Sequence, residues 1–322
     1  MQVSTHPQSS KANLLIDNMT VKALSVLTPY RSTITLLAEW VAIMISIIFC
    51  EAYFSLPGYV LVVLWIGARQ HALLVLMHEA AHNRLCKHRQ LNECWARFTV
   101  ALPLFLSFKQ YREAHLKHHR YLLTNKDPDF IAQQKETDYH FPKTRGQFLR
   151  LFLRDISGLG VYRMIASLLY FNKYASHNAE STPDEKTTIR SAPWSELVFF
   201  GFLIAVLSYF NLWLEYLLYW IIPSITWLKW VLYLRAVGEH YGLKSAGEES
   251  LGLSRTTIVS SWISKLFICP HEVNYHAEHH LFPGVPYYNL NRLHKTLRHN
   301  AWYQREVPVT QGYLNVLREC VN

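Results

Sequence analysis

The chain has 322 residues, half of them hydrophobic and only 17% charged, with a formal net charge of +9. That length allows one large domain or two small soluble ones, but the apolar residues gather in runs too long for ordinary core helices. The five cysteines, Cys50, Cys86, Cys94, Cys269 and Cys320, form no CxxC pair and are odd in number, which argues against a disulfide framework or a zinc knuckle.

Residues 1–30 read as an arm, mobile or lying on a surface. They contain no signal-peptide apolar core, so the first true span is expected to direct insertion. Residues 32–68 hold no Lys or Arg. A bilayer core needs about 20 apolar residues per helix, so this stretch predicts two spans, 33–50 and 58–76, divided at 51–57. Residues 191–228 also lack Lys and Arg. They predict a second pair, 196–210 and 216–234, divided near 211–215, with Pro223 kinking the last span.

The segment between the hairpins, 77–190, carries much of the basic charge. Its apolar stretch at 98–108 is too short to span and suits a helix in the interface. Residues 143–172 mix Arg145, Arg150, Arg154 and Arg163 with Phe148, Leu149 and Leu153. They suit either a helix along anionic headgroups or a solvated helix packed on the domain. Residues 174–190 read as a polar loop. The tail 236–322 looks soluble again. Basic loops remain cytoplasmic, so both termini and the central segment are expected on that side. The fold expected is all-α: an arm (1–30), a helical hairpin (33–76), a cytoplasmic segment (77–190), a second hairpin (194–235) and a cytoplasmic tail (236–322). The four spans carry one cytoplasmic helical cap, and the chain forms a single membrane domain.

Seventeen histidines are present, and eight of them cluster. His78 and His82 lie in HEAAH, His115, His118 and His119 in HLKHH, and His276, His279 and His280 in HAEHH. On a helix, positions i, i+3 and i+4 share a face, so each box points its imidazoles one way. Eight free imidazoles packed together would repel when protonated, or each need a buried partner when neutral. Metal coordination removes both difficulties, and eight ligands imply two metals. Imidazole suits iron, zinc, copper and nickel alike. The even number of spans places all three boxes on one membrane face. His240, in RAVGEH just past the fourth span, is a candidate ninth ligand. His71 lies seven residues before His78 on the same helix face, within the span, and suits an outer shell or core packing better than ligation. His6, His88, His140, His177, His294 and His299 are expected to be surface or structural.

HEAAH alone also fits a zinc metalloprotease with Glu79 as base, a reading that leaves the other two boxes unexplained. A metal transporter would place its histidines within the spans, whereas these boxes lie at or beyond span ends.

The three boxes with their flanks, YREAHLKHHRYLLTNKDPDF and NYHAEHHLFPGVPYYNL, resemble the membrane-bound fatty acid desaturases and related hydroxylases in order and spacing. The resemblance covers about residues 34–297. It implies a non-haem centre of two ferrous ions, with O2 as cosubstrate, liganded by His78, His82, His115, His118, His119, His276, His279 and His280. His240 is similar to an extra histidine that follows the fourth span in the family. Some members hold one iron through a water on an Asn one turn earlier. That position is Ala236 here, and Asn274 is a possible substitute. Asp127, Asp129, Glu239 and Glu278 are candidates to hydrogen-bond the outer imidazole nitrogens. The implied reaction removes hydrogen from an unactivated methylene of an acyl chain linked to lipid, coenzyme A or carrier protein. Loss of a second hydrogen gives an alkene. Addition of a hydroxyl gives an alcohol, on a fatty chain or a carotenoid ring, and repeated desaturation gives an acetylene. The sequence lacks an HPGG haem motif, a dinucleotide fingerprint and an iron–sulfur cysteine set, so a separate donor, ferredoxin-like or cytochrome b5-like, is expected. The basic face suits an acidic donor, acyl carrier protein, acyl-CoA or lipid headgroups. No nucleic-acid partner is expected.

Overall fold

Apolar runs without a basic residue fold as long helices because only internal pairing satisfies the backbone where water is absent. The computed structural model describes residues 15–163, 165–166, 193–241 and 253–321. The first fourteen residues of the expected arm and the polar loop expected at 174–190 lie outside the described residues, as do His6 and His177. The chain divides into two compact units, one of residues 29–115 and 150–232 and the other of residues 1–28, 116–149 and 233–322.

The first of these units holds the apolar helices. After the short α1 (Asn18–Leu24), which belongs to the other unit, come α2 (Arg31–Ala52) and α3 (Leu56–Ala81), then α8 (Pro193–Tyr209) and most of α9 (Trp213–His240). Ser55 caps α3 by accepting from Gly58 N. Helices α2, α3 and α9 are long and apolar enough to cross a membrane, whereas α8 is shorter, at 17 residues. Helix α2 leaves Ile34, Leu37, Val41, Met44, Ile45, Ile48 and Phe49 exposed. In water such a stripe is a liability, and in lipid it is the ordinary outer face. Helix α3 is instead buried almost continuously from Ile66 to Ala81. Gly67 permits its close approach to α9, since a Cβ there would meet the Trp227 Cβ at 2.8 Å.

Pro223 falls inside α9 as expected. The helix runs through it by widening into π turns on both sides, Leu217–Ile221 and Ser224–Leu228. Proline lacks an N–H and crowds the preceding turn. Hydroxyls take up the local carbonyls: Ser224 Oγ donates to Ile221 O at 2.7 Å, and Thr226 Oγ1 to Ile222 O at 2.6 Å.

An ion pair lies inside this unit. Arg69 Nη1 lies 3.0 Å from Glu39 Oε2, both buried, and the guanidinium stacks over Trp65. The short apolar segment expected at 98–108 follows α4 (Arg89–Ala96) as a π turn, Arg97–Ala101, and a 3-10 turn, Leu102–Leu104. Two indoles pin it. Trp40 donates to Thr99 O at 3.0 Å and Trp220 to Pro103 O at 2.7 Å, with their rings stacked 5.2 Å apart.

The second unit is built from short elements. Helix α5 (Phe108–Tyr121) enters it, followed by α6 (Pro128–Gln134) and the start of α7 (Arg145–Ile156). The end of α9 is joined by β1 (Thr256–Ile258), α10 (Trp262–Phe267), α11 (His276–Leu281), α12 (Leu290–Leu297), α13 (Ala301–Glu306), β2 (Val309–Gln311) and α14 (Gly312–Glu319). The chain is therefore mostly helical, with a small departure from the all-α expectation: β1 and β2 pair in parallel, Thr257 opposite Thr310. Asn274 completes the other edge of β1. Its carbonyl accepts from Thr257 N at 2.9 Å and its side-chain amide donates to Thr257 O at 2.8 Å. Buried Arg255 ties the end of α9 to α14. Its N–H donates to Glu239 O at 2.8 Å and its guanidinium to Glu319 at 2.7 Å.

Candidate metal centre

The first box forms where α3 stops. His78 lies in the last turn of α3 and His82 caps its end. In the same unit His115 approaches from α5. The Nε2 atoms of His82 and His115 are 2.8 Å apart, and the His78 ring centroid lies 4.4 Å from that of His115. Ligand atoms of all three fall within 4.8 Å of one another. Burial, followed by the charges of Arg84 and Arg112, pushes His82 down to about 3, so it is a neutral donor at ordinary pH.

The second unit gathers four imidazoles of its own. His118 comes from α5, His240 from the end of α9, and His276 and His280 from α11, with ligand atoms again within 4.8 Å. The Nε2 atoms of His276 and His240 are 2.8 Å apart. Metal–nitrogen bonds of about 2.0–2.1 Å set neighbouring ligand nitrogens roughly 3 Å apart. His119 and His279 form a further pair in this unit, Nε2 to Nε2 at 3.1 Å. All nine histidines expected as donors fall into these three groups. His71 is fully buried in α3 and belongs to none of them.

Outer partners turn three of the four imidazoles inward. His118 Nδ1 lies 3.0 and 3.1 Å from the two oxygens of Asp127. That carboxylate is itself fixed, because it accepts from the N–H groups of Leu123, Asp129 and Phe130 and so caps α6. Asp129 is farther from His118, at 3.8 Å. Burial draws the His118 imidazole down, but Asp127 and Asp129, aided by Glu239, outweigh it and leave it above its ordinary value. His240 Nδ1 donates to the Leu253 carbonyl at 3.1 Å, and His276 Nδ1 is 3.4 Å from Glu239 Oε1. In each case a proton held at Nδ1 leaves Nε2 as the donor atom.

His280 lacks such a partner. Among the described residues, neither of its buried nitrogens has a hydrogen bond, and burial with the neighbouring His119 and His276 pushes it well below the ordinary imidazole range. A buried neutral imidazole with no hydrogen bond is costly, and a metal ion would relieve it. The donor set and its geometry therefore fit a metal.

Glu278 behaves differently from expectation. It was a candidate to bond a ligand imidazole, yet it meets His294, expected to be surface or structural. His294 Nδ1 and Tyr303 OH both reach Glu278 Oε1 at 2.5 Å, and Thr256 Oγ1 donates to Oε2 at 2.5 Å. On α11, position 278 lies opposite the side that carries 276, 279 and 280, so a separate partner is required. Nothing in the spacing of His294 or Tyr303 reveals that they supply it.

A family model described as fatty acid desaturase matches residues 55–313. Dihydrorhizobitoxine desaturase of Bradyrhizobium elkanii is 28% identical over 77% of this chain and 70% of its own length. An sn-1 acyl-lipid omega-3 desaturase (ferredoxin) of Nostoc sp. is 22% identical over 79% of this chain and 72% of its own. A putative sphingolipid delta(4)-desaturase/C4-monooxygenase of Caenorhabditis elegans is 23% identical over 80% of this chain and 59% of its own.

Proposed function

The chain belongs to the fatty acid desaturase family, and on that premise we propose that it is a membrane-bound, oxygen-dependent oxidoreductase that introduces a carbon–carbon double bond into an acyl chain, with two iron ions on its clustered histidines. The observation that carries this reading is the set His118, His240, His276 and His280, four imidazoles whose ligand atoms converge within 4.8 Å. These four hold one ion. The remaining box histidines, His78, His82, His115, His119 and His279, are the donors left for a second, which ligand count and the family resemblance imply. Iron is the choice of the family among the metals imidazole accepts.

When bound, the metal pair activates oxygen and supplies the oxidising power for an unactivated C–H bond. The residues of the chain provide the setting. Asp127 and the Leu253 carbonyl keep protons at Nδ1 of His118 and His240, so Nε2 of each is the atom turned to the metal. Glu239 serves His276 in the same way. Apolar helices admit an acyl chain from lipid, and the position of its second hydrogen selects alkene over alcohol. Hydroxylation is the second reading, favoured by the C. elegans relative whose name pairs desaturase with monooxygenase.

The topology proposed has four spans in two hairpins, with termini and histidines on the cytoplasmic side. The 17-residue α8 is about 25 Å long, close to the bilayer core of about 30 Å, and the basic segments flank the spans on one side. Electrons come from a separate donor, ferredoxin-like or cytochrome b5-like. The Nostoc relative carries ferredoxin in its name, and the basic charge suits an acidic partner. The acyl group is carried by lipid, acyl carrier protein or coenzyme A.

Metal analysis of purified protein, reconstituted anaerobically with ferrous iron, tests the centre. Two irons per chain are expected. One tightly held zinc, with no iron uptake, would contradict the proposal.

A further inference from the structure

We propose that His294, Tyr303 and Thr256 act through Glu278 as a lock that sets the rotation of α11, so that the opposite side of this helix presents His276, His279 and His280 to the metal; this rests on the metal-centre reading above.

The need for a lock follows from the size of the helix. Helix α11 has six residues and its N-cap, Tyr275, makes no side-chain capping bond. Helices shorter than about 12–15 residues are marginal on their own, so the orientation of α11 comes from tertiary contacts. Its three ligand positions occupy one side. Glu278 leaves from the other and is fully buried.

Three separate elements converge on that one carboxylate. Thr256 comes from β1, His294 from α12 and Tyr303 from α13. Each reaches it at 2.5 Å. Tyr303 is itself almost wholly buried, and its OH lies 3.2 Å from His294 Nδ1, which closes the network. Helix α13 is capped by Asn300, which accepts from Trp302 N and Tyr303 N. The lock therefore has a rigid outer wall. A carboxylate gripped on both oxygens permits little rotation of the helix, whereas one bond alone would act as a pivot. Outer partners of this kind orient metal ligands, and losing one typically weakens metal binding about 10–100-fold. His294, Tyr303 and Thr256 are positioning residues and touch no reacting atom.

The test uses the full-length protein in detergent with cobalt(II) as the probe. Wild type, Tyr303→Phe, Glu278→Gln and Thr256→Val are compared by chelator competition and by the visible cobalt spectrum. Tyr233→Phe serves as control, since it removes another buried hydroxyl of the same unit, bonded to Asp138 O. Helical circular dichroism of the metal-free proteins monitors folding. Expected are a fall in cobalt affinity of about 10–100-fold and an altered spectrum in the lock variants, with the control matching wild type. Lock variants that bind cobalt with wild-type affinity and spectrum would overturn the proposal. So would a Tyr233→Phe control equally impaired, because the loss would then be general destabilisation. Wild-type protein that binds no cobalt would end the metal-centre reading and the lock with it.

Discussion

His118 Nδ1 and Asp127 Oδ2 lie 3.0 Å apart, both sealed from solvent, and the same carboxylate caps α6. One side chain thus fixes a ligand tautomer and starts a helix. Asp127→Ala is expected to weaken metal binding by about 10–100-fold and to cost about 1 kcal/mol as a lost cap. Asp127→Asn keeps an oxygen for the cap and recovers most of the stability, but it loses the charge that holds the imidazole proton. Metal affinity and thermal unfolding, measured side by side, separate the two effects.

His240 stands outside the three boxes but within the four-imidazole set. His240→Ala should lower bound metal by one ion per chain, read by elemental analysis. His299→Ala, at an exposed position, should leave the content unchanged. Equal metal content in the two variants would remove His240 from the ligand set.

The metal-free protein should lose stability on acidification. His82 is held at about 3 when folded, chiefly by burial, against about 6.5 unfolded. A depressed value means its contribution is complete above about 6.5 and fades as pH falls toward about 3. His280 is displaced in the same direction. His118 is raised and acts oppositely, its contribution complete below about 6.5 and lost at higher pH. His240 is also pushed down to about 3, chiefly by burial, so three imidazoles outweigh one and the melting temperature of apoprotein should fall between about pH 7 and pH 5. A melting temperature that rises over that range would contradict this balance.

Arg69 and Glu39 form a buried ion pair between α3 and α2. Removing one partner strands the other charge, which costs about 3–5 kcal/mol. Arg69→Met should therefore destabilise the protein by that amount in denaturant titrations in detergent. Arg69→Met combined with Glu39→Leu should recover most of it. A double variant no better than the single would show that the charge is not what matters.

Much of this was legible in the sequence because its signals are local. Runs free of basic residues marked α2, α3, α8 and α9, and the i, i+3, i+4 spacing of His115, His118 and His119 marked one helix, although its donors go to different groups. The trailing Asp127 was legible as well, nine residues from His118 and in reach once the chain turns. Contacts between distant elements were not. Glu278 and His294 are sixteen residues apart on separate helices, and Thr256 and Tyr303 reach that carboxylate from two further elements. The parallel pair of β1 and β2 joins three-residue strands more than fifty residues apart, too short for an alternating pattern. Arg69 and Glu39 are 30 residues apart, and only the hairpin geometry makes them a pair.

Mass spectrometry of acyl lipids tests the central claim most directly, after expression with a ferredoxin and its reductase in a host that lacks the activity. Wild type should yield an acyl product with two hydrogens fewer than its precursor, and His279→Ala should yield none. A product that gains one oxygen without an alkene, or acyl chains identical with and without the wild-type protein, would contradict a desaturase.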